Sequence, residues 1–207
     1  MRAYSRIFWC SIVVSVCAIC WMRIQNTYGG LARERLINAQ GTVQLALFVP
    51  GDDIQRVLLD LIEHETDRIR IAVYIITDRV IADALIAAHK RGVRVEVVSC
   101  SSRAYLRASK ITCLLAQGIA VYLCPAARYA VMHHKFFIFN TALGFPVCAT
   151  GSFNCTNSAA YRNKEDIIFL SDPAIVTAYE QRFSYLIALS KGSCYTKSEK
   201  HFLLKSP

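Results

Sequence analysis

Four short apolar runs, VQLALFV (43–49), IRIAVYII (69–76), VRVEVVSC (93–100) and IAVYLC (119–124), are separated by segments that carry helix signals. Runs this short, rich in β-branched residues and bounded by turn residues, read as buried strands. Between the first two, Ile54, Val57, Leu58, Leu61 and Ile62 recur on one face of a helix. Strand and helix therefore alternate, which implies an α/β sheet covered by helices. The expected helices run from about 52 to 66, from a cap at Thr77 or Asp78 to a stop at Gly92, and from about 103 to 117.

The second half changes character. KFFIFN (135–140) and PVCAT (146–150) are apolar strands joined by a turn containing Gly144 and Pro146, as a hairpin or as adjacent strands. A loop or helical turn at 152–162 leads to the strand EDIIFL (165–170). Asp172 caps a last helix with Pro173 at its first position, running to about Leu189. The sheet is thus expected to be mixed.

A chain of 207 residues, 54% of them hydrophobic, supports one sizeable core and no second full domain. The stretch Ile7 to Met22 holds no charged residue, with Arg2 and Arg6 before it and Arg23 after it. It is shorter than the roughly 20 residues of a comfortable membrane span and longer than a signal-peptide core of roughly 7–15. An anchor and a cleaved export signal both remain open; the exit CAICWMR lacks a small-x-small cleavage pattern, which favours the anchor. The expected organisation is an anchor or signal at 1–22, a connector at 23–41 containing Gly29-Gly30, a folded domain at 42–190 and a basic tail at 191–207.

The net charge of +9 suggests an anionic partner, nucleic acid or an acidic membrane surface. Arg2, Arg6, Arg23, Arg33 and Arg35 against Glu34 account for much of it, so the domain itself is only moderately basic. Of the nine cysteines, Cys10, Cys17 and Cys20 lie in the apolar segment, and none of the others forms a C-x-x-C pair, which argues against a zinc site. Cys100, Cys124 and Cys148 sit in strand-like runs where buried, reduced thiols are the commoner outcome. An exported chain would also permit disulfides.

Three segments put chemistry at strand ends: MHHKFF around His133 to Lys135, TGSFN at 150–154 and NKED at 163–166. Residues two apart in a strand share a face, so His133 and Lys135 project together while His134 points away. An ammonium attracts a phosphodiester, lowers the neighbouring imidazole pKa and keeps its nitrogen free to attack phosphorus. Gly151 permits close backbone approach, and Ser152 and Asn154 offer neutral donors to nonbridging oxygens. Taken singly, each feature has a bland reading: a surface basic cluster, a turn start, a solvated Glu165. Tyr74 and Phe136 are expected in the core, and Arg103, Arg107, Lys110 and Arg128 either line a phosphate groove or form a solvated face.

These segments together resemble the phospholipase D superfamily, whose signature is H-x-K-x4-D, then G-S-x-N, then an acidic residue. The matching stretches are HHKFFIFN, GSFNCT and NKED, and IAVYIITDRVIADALIAAHKRGVRVEVV is similar to the family's first strand-helix-strand unit. With one motif copy, the chain is most similar to the single-motif branch of small bacterial endonucleases and mitochondrial cardiolipin hydrolase. The resemblance implies a homodimer in which two copies of His133 and Lys135 complete one site. One His133 attacks phosphorus and the other serves as general acid, then base. Lys135 and Asn154 hold the nonbridging oxygens, Glu165 orients an imidazole, and neither metal nor other cofactor is needed. Asn140, where the family carries Asp, and Gly151 would support the site from behind. The stretch from Asn140 to Gly151 is longer than the family's, and VVSC ends without the acidic residue common there.

The expected function is hydrolysis of phosphodiesters through a phosphohistidine, with nucleic acid slightly favoured over phospholipid as substrate. The alternative is a catalytically impaired relative that binds polyanions, which Asn140 would explain. The chain is expected at a membrane through its N-terminus, or in the periplasm or outside the cell if that segment is removed.

Overall fold

The computed structural model describes residues 36–37, 41–127 and 130–190, with the strand backbone of 194–195. The apolar segment at 7–22, Arg128 and the tail beyond Tyr195 lie outside the described residues. In chain order the elements are β1 (Gln44–Val49), α1 (Ile54–His64), β2 (Arg68–Val73), α2 (Arg79–Lys90), β3 (Arg94–Cys100), α3 (Ser101–Ala104) and α4 (Ile111–Ala116). There follow β4 (Ala120–Cys124), β5 (Lys135–Phe139), β6 (Val147–Gly151), α5 (Asn157–Tyr161), β7 (Glu165–Leu170), α6 (Pro173–Leu189) and β8 (Cys194–Tyr195). One sheet holds the strands in the order β1-β7-β6-β5-β2-β3-β4-β8. The β2-β3-β4 unit is parallel, and the other pairs are antiparallel, so the sheet is mixed and helices cover both faces.

Side-chain alternation along the strands divides the core in two. Ile69, Ile71, Val73, Phe137, Phe139 and Ala149 face one way and pack with Leu58, Leu61 and Leu85 of α1 and α2. Ala72, Val98, Phe136, Ile138 and Cys148 face the other way, onto Val176, Phe183 and Leu186 of α6. Polar contacts add to this second layer: Arg68 reaches Glu180 at 3.1 Å, and Arg70 pairs with both Glu96 and Glu180. Asp78, rather than Thr77, caps α2 by accepting from the backbone N–H groups of Val80 and Ile81. Asp172 caps α6 through Ile175 N at 3.0 Å, with Pro173 in the first turn. Among the described residues, no helix is long and apolar enough to cross a membrane. Cys100, Cys124, Cys148 and Cys155 are buried free thiols, and burial pushes the Cys148 thiol up to about 12.

Two departures from the expected elements shape the site. The single helix expected at 103–117 is two short ones, because Arg103 turns onto Tyr74 and Lys110 N is drawn to the Ile76 carbonyl at 2.9 Å. Residues 105–110 contribute no buried apolar side chain that would hold a continuous helix down. β2 in turn stops at Val73 and not at Ile76. Tyr74 N bonds the His134 carbonyl at 3.1 Å, and Thr77 and Asp78 donate to the Cys155 carbonyl, which carries the chain away from β3.

Glu65, just past α1, is fully buried, although a helix end flanked by Glu63 and His64 would suggest exposure. Its carboxylate accepts from the N–H groups of Asp67, Thr141 and Ala142 and from the Thr141 hydroxyl, tying the β5–β6 turn to α1. Burial alone would raise its pKa, but hydrogen bonds from Thr141, Asp67 and Arg68 outweigh it and hold the carboxyl below its ordinary value. Glu65→Ala would strand these donors and is expected to cost about 2–4 kcal/mol, read in a denaturant titration. Because the folded pKa is depressed, Glu65 stabilises above its unfolded pKa of 4.5, and that contribution is lost as pH falls through the lower folded value.

Candidate active site

Strand register gathers the chemistry at one end of the sheet. Val73 at the close of β2 lies opposite Lys135 at the start of β5, so His133 and His134 sit just beyond the parallel strands' C-terminal ends. Thr150 pairs with Phe136 and Gly151 with Ile167, so Ser152 and Asn154 leave β6 at that same end, where Glu165 opens β7. Such an end is where α/β sheets place ligands.

His133 packs against Tyr74 with ring centroids 4.7 Å apart and the planes tilted by 59°, and Lys135 Nζ lies 5.4 Å from the centroid of the same ring. The ammonium donates to the His133 carbonyl at 2.7 Å, which holds the two residues as one unit. Partial desolvation, then the Lys135 charge, keep the His133 imidazole below its ordinary 6.5. Burial lowers the Lys135 pKa, and the Glu165 carboxylate opposes that shift. His134 points the other way, edge-on to Phe136, and burial followed by the Arg182, Lys135 and His133 charges lowers its pKa. In an NMR titration the His133 midpoint is therefore expected below 6.5. Lys135→Met is expected to move it part of the way back, since desolvation is the larger cause. A midpoint at or above 6.5 in the unsubstituted chain would contradict this.

The TGSFN loop is fastened to β7. A Cβ on Gly151 would lie 2.2 Å from the Asp166 carbonyl oxygen and 2.8 Å from Ile167 Cα, so only glycine allows the two strands to approach this closely. Ser152 N donates to the Asp166 carbonyl, and Asp166 N donates to Ser152 Oγ, both at 3.0 Å. The Ser152 hydroxyl donates to Glu165, whose second oxygen accepts from Asn163 Nδ2 at 2.8 Å. In this arrangement the Ser152 proton orients Glu165, and Glu165 acts on Lys135 through its charge. Asn154 Oδ1 is buried without a hydrogen-bond partner among the described residues. Such an orphan costs about 1–3 kcal/mol and is typical of a place kept for a ligand.

Asn140 is not brought to this cluster. It follows the far end of β5, roughly 17 Å along the strand from Lys135. There its Nδ2 donates to Asp67 at 2.6 Å and its Oδ1 accepts from Arg68 at 3.4 Å. An aspartate would face the Asp67 carboxylate, so the amide suits its own surroundings.

Tyr74 is the residue that sequence reasoning placed elsewhere: it is half-buried at the site, whereas Phe136 is fully buried between Tyr179 and Phe183. The cap at Asp78 was the available signal, since a strand must end before its following helix is capped. Arg103 lies with its guanidinium 4.9 Å from the Tyr74 ring centroid and donates from Nε to the Tyr74 hydroxyl. Arg107 is exposed, and no described contact brings it or the Lys110 side chain to the cluster. Beside His133 and His134, Met132, Arg182, Tyr185 and Leu189 help line a cavity of about 610 Å³.

The sequence family described as "Cardiolipin synthase, PLD-like domain" matches residues 58–187. A mitochondrial cardiolipin hydrolase of Chlamydomonas reinhardtii is 35% identical over 128 residues, 62% of this chain and 55% of that protein. One from Xenopus tropicalis is 37% identical over 106 residues, 51% of this chain and 48% of that protein. The chain thus spans about half the length of these relatives. Among solved structures, Nuc of Salmonella typhimurium, a phospholipase D family member, superposes with a TM-score of 0.65 at 23% identity, covering 75% of this chain and 99% of that one.

Proposed function

Because the chain belongs to the phospholipase D-like family, we propose that it is a metal-independent phosphodiesterase working through a phosphohistidine in a site shared by two copies. The observation that carries this is the His133–Lys135 unit: an imidazole with a lowered pKa beside a cation, at a sheet end that also holds Asn154 and Glu165. The neutral His133 nitrogen attacks phosphorus, and the P–N bond forms as the P–O bond to the leaving group breaks. A second His133 gives its proton to that oxygen, then takes one from the water that cleaves the P–N bond. Lys135 and Asn154 stabilise the charge on the nonbridging oxygens. Glu165, fixed by Ser152 and Asn163, favours the charged form of Lys135.

The second His133 comes from a twofold-related copy, since the chain holds one such unit. The exposed apolar side chains Val131, Tyr185 and Leu189 around the cavity beside His133 support this. Monomers that meet there bring two His133 side chains together. Leu189→Arg, on the exposed face of α6, is expected to yield monomers in sedimentation and to lose turnover with the fold intact.

Kinship with cardiolipin hydrolases weighs toward phospholipid, and the net charge of +9 leaves nucleic acid beside it. The purified chain is therefore to be offered cardiolipin vesicles and single-stranded nucleic acid, with acid-labile phosphate on His133 trapped by a rapid quench. Turnover of neither, with no trapped phosphate, would leave a polyanion-binding relative in place of an enzyme. The N-terminal segment at 7–22 would hold such an enzyme at a membrane.

A further inference from the structure

Arg103 makes contacts that a single bound phosphate does not explain. Its guanidinium is laid on the Tyr74 ring and pinned through Nε, and Tyr74 is itself fixed by His134 through its backbone N–H and by Ser99 at 3.3 Å through its carbonyl. An arginine side chain loses conformational freedom on being held this way. Among the described residues no carboxylate forms an ion pair with it. The hydrogen bond at Nε leaves the planar Nη fork, which matches two oxygens of a phosphate, without a partner among the described residues.

Lys135 and Arg103 both lie within 5.4 Å of the Tyr74 ring centroid, so their separation cannot exceed twice that distance. The Lys135 charge, with His133, serves the phosphorus under attack. Arg103 adds a second cation on the same ring, with no part in that step. Glu165 offsets part of the Lys135 charge, while no described carboxylate lies within ion-pair distance of Arg103. Two cations thus share one ring, and the positive field they make favours a ligand with two anionic groups.

We infer that Arg103, braced by Tyr74, is a binding subsite for a second phosphate, so that the preferred substrate carries two phosphates within reach of one another. The inference rests on the phosphodiesterase reading for its first phosphate and adds the second. It selects among phosphodiesters by charge spacing: a lipid with two phosphates over a lipid with one, or a strand of several nucleotides over a dinucleotide.

The test separates binding from turnover. Isothermal titration of the full chain with glycerol 1-phosphate and glycerol 1,3-bisphosphate is expected to show tighter binding of the bisphosphate. Arg103→Ala is expected to shrink that preference by on the order of tenfold or more, and Arg103→Lys, which keeps the charge without the fork, to retain part of it. Equal affinity for the two compounds in the unsubstituted chain would overturn the subsite. So would equal weakening of both by Arg103→Ala, the result expected if the guanidinium merely steadies Tyr74. In turnover, the Arg103→Ala loss is expected to be greater on cardiolipin than on phosphatidylglycerol vesicles, or on a trinucleotide than on a dinucleotide, and the pair that responds identifies the source. A bisphosphate preference without cleavage of any of these would sink the phosphodiesterase and leave the subsite standing.

Discussion

His133→Ala is expected to abolish the trapped phosphate and to lower kcat by about 10⁴-fold or more on whichever phosphodiester the chain cleaves. Nucleophile and proton donor are the same residue contributed twice, so one substitution removes both. The imidazole is surface-exposed and rests on Tyr74 without filling the core, so the melting temperature is expected to stay close to that of the unsubstituted chain. Mixing provides the sharper measurement. If each site needs two intact His133 side chains, the activity of randomly reassembled dimers falls as the square of the unsubstituted fraction. A linear fall would mean that one chain suffices, and the shared site would be withdrawn.

Gly151→Ala is expected to cost about 2–4 kcal/mol of stability. The added methyl would lie 2.2 Å from a backbone oxygen, which a rotamer change cannot relieve, so β6 and β7 must separate. That movement also undoes the Ser152–Asp166 contacts and frees Glu165, so turnover is expected to fall with the melting temperature. An unchanged melting temperature would show that the strands have slack here. Ser152→Ala serves as the comparison: it removes the hydroxyl clamp without the clash and is expected to lose activity with a smaller loss of stability.

The strands and most helices were legible because their signals are local: alternation in EDIIFL, helical spacing from Ile54 to Ile62, and an aspartate followed by proline at 172–173. The neighbourhood of His133, Lys135, Gly151, Ser152 and Glu165 could be anticipated for a related reason. Each lies at or just beyond a strand end, and antiparallel pairing of β5, β6 and β7 brings those ends together. Tyr74 and Arg103 were harder. Their placement depends on β2 breaking off to meet the loop at Cys155, a contact between residues some eighty positions apart that no local pattern encodes. Glu65 escaped for the same reason, since its partners Thr141 and Ala142 come from the far end of the β5–β6 hairpin.

The span of β5 bears on how a motif should be weighed. Its start carries reacting groups and its finish carries a fastening between Asn140, Asp67 and Arg68. Letters of one signature thus do different work: one end serves chemistry, the other fastens a turn to its neighbours. An aspartate placed at Asn140 would act on that fastening, beside the Asp67 carboxylate, and not directly on the reacting groups.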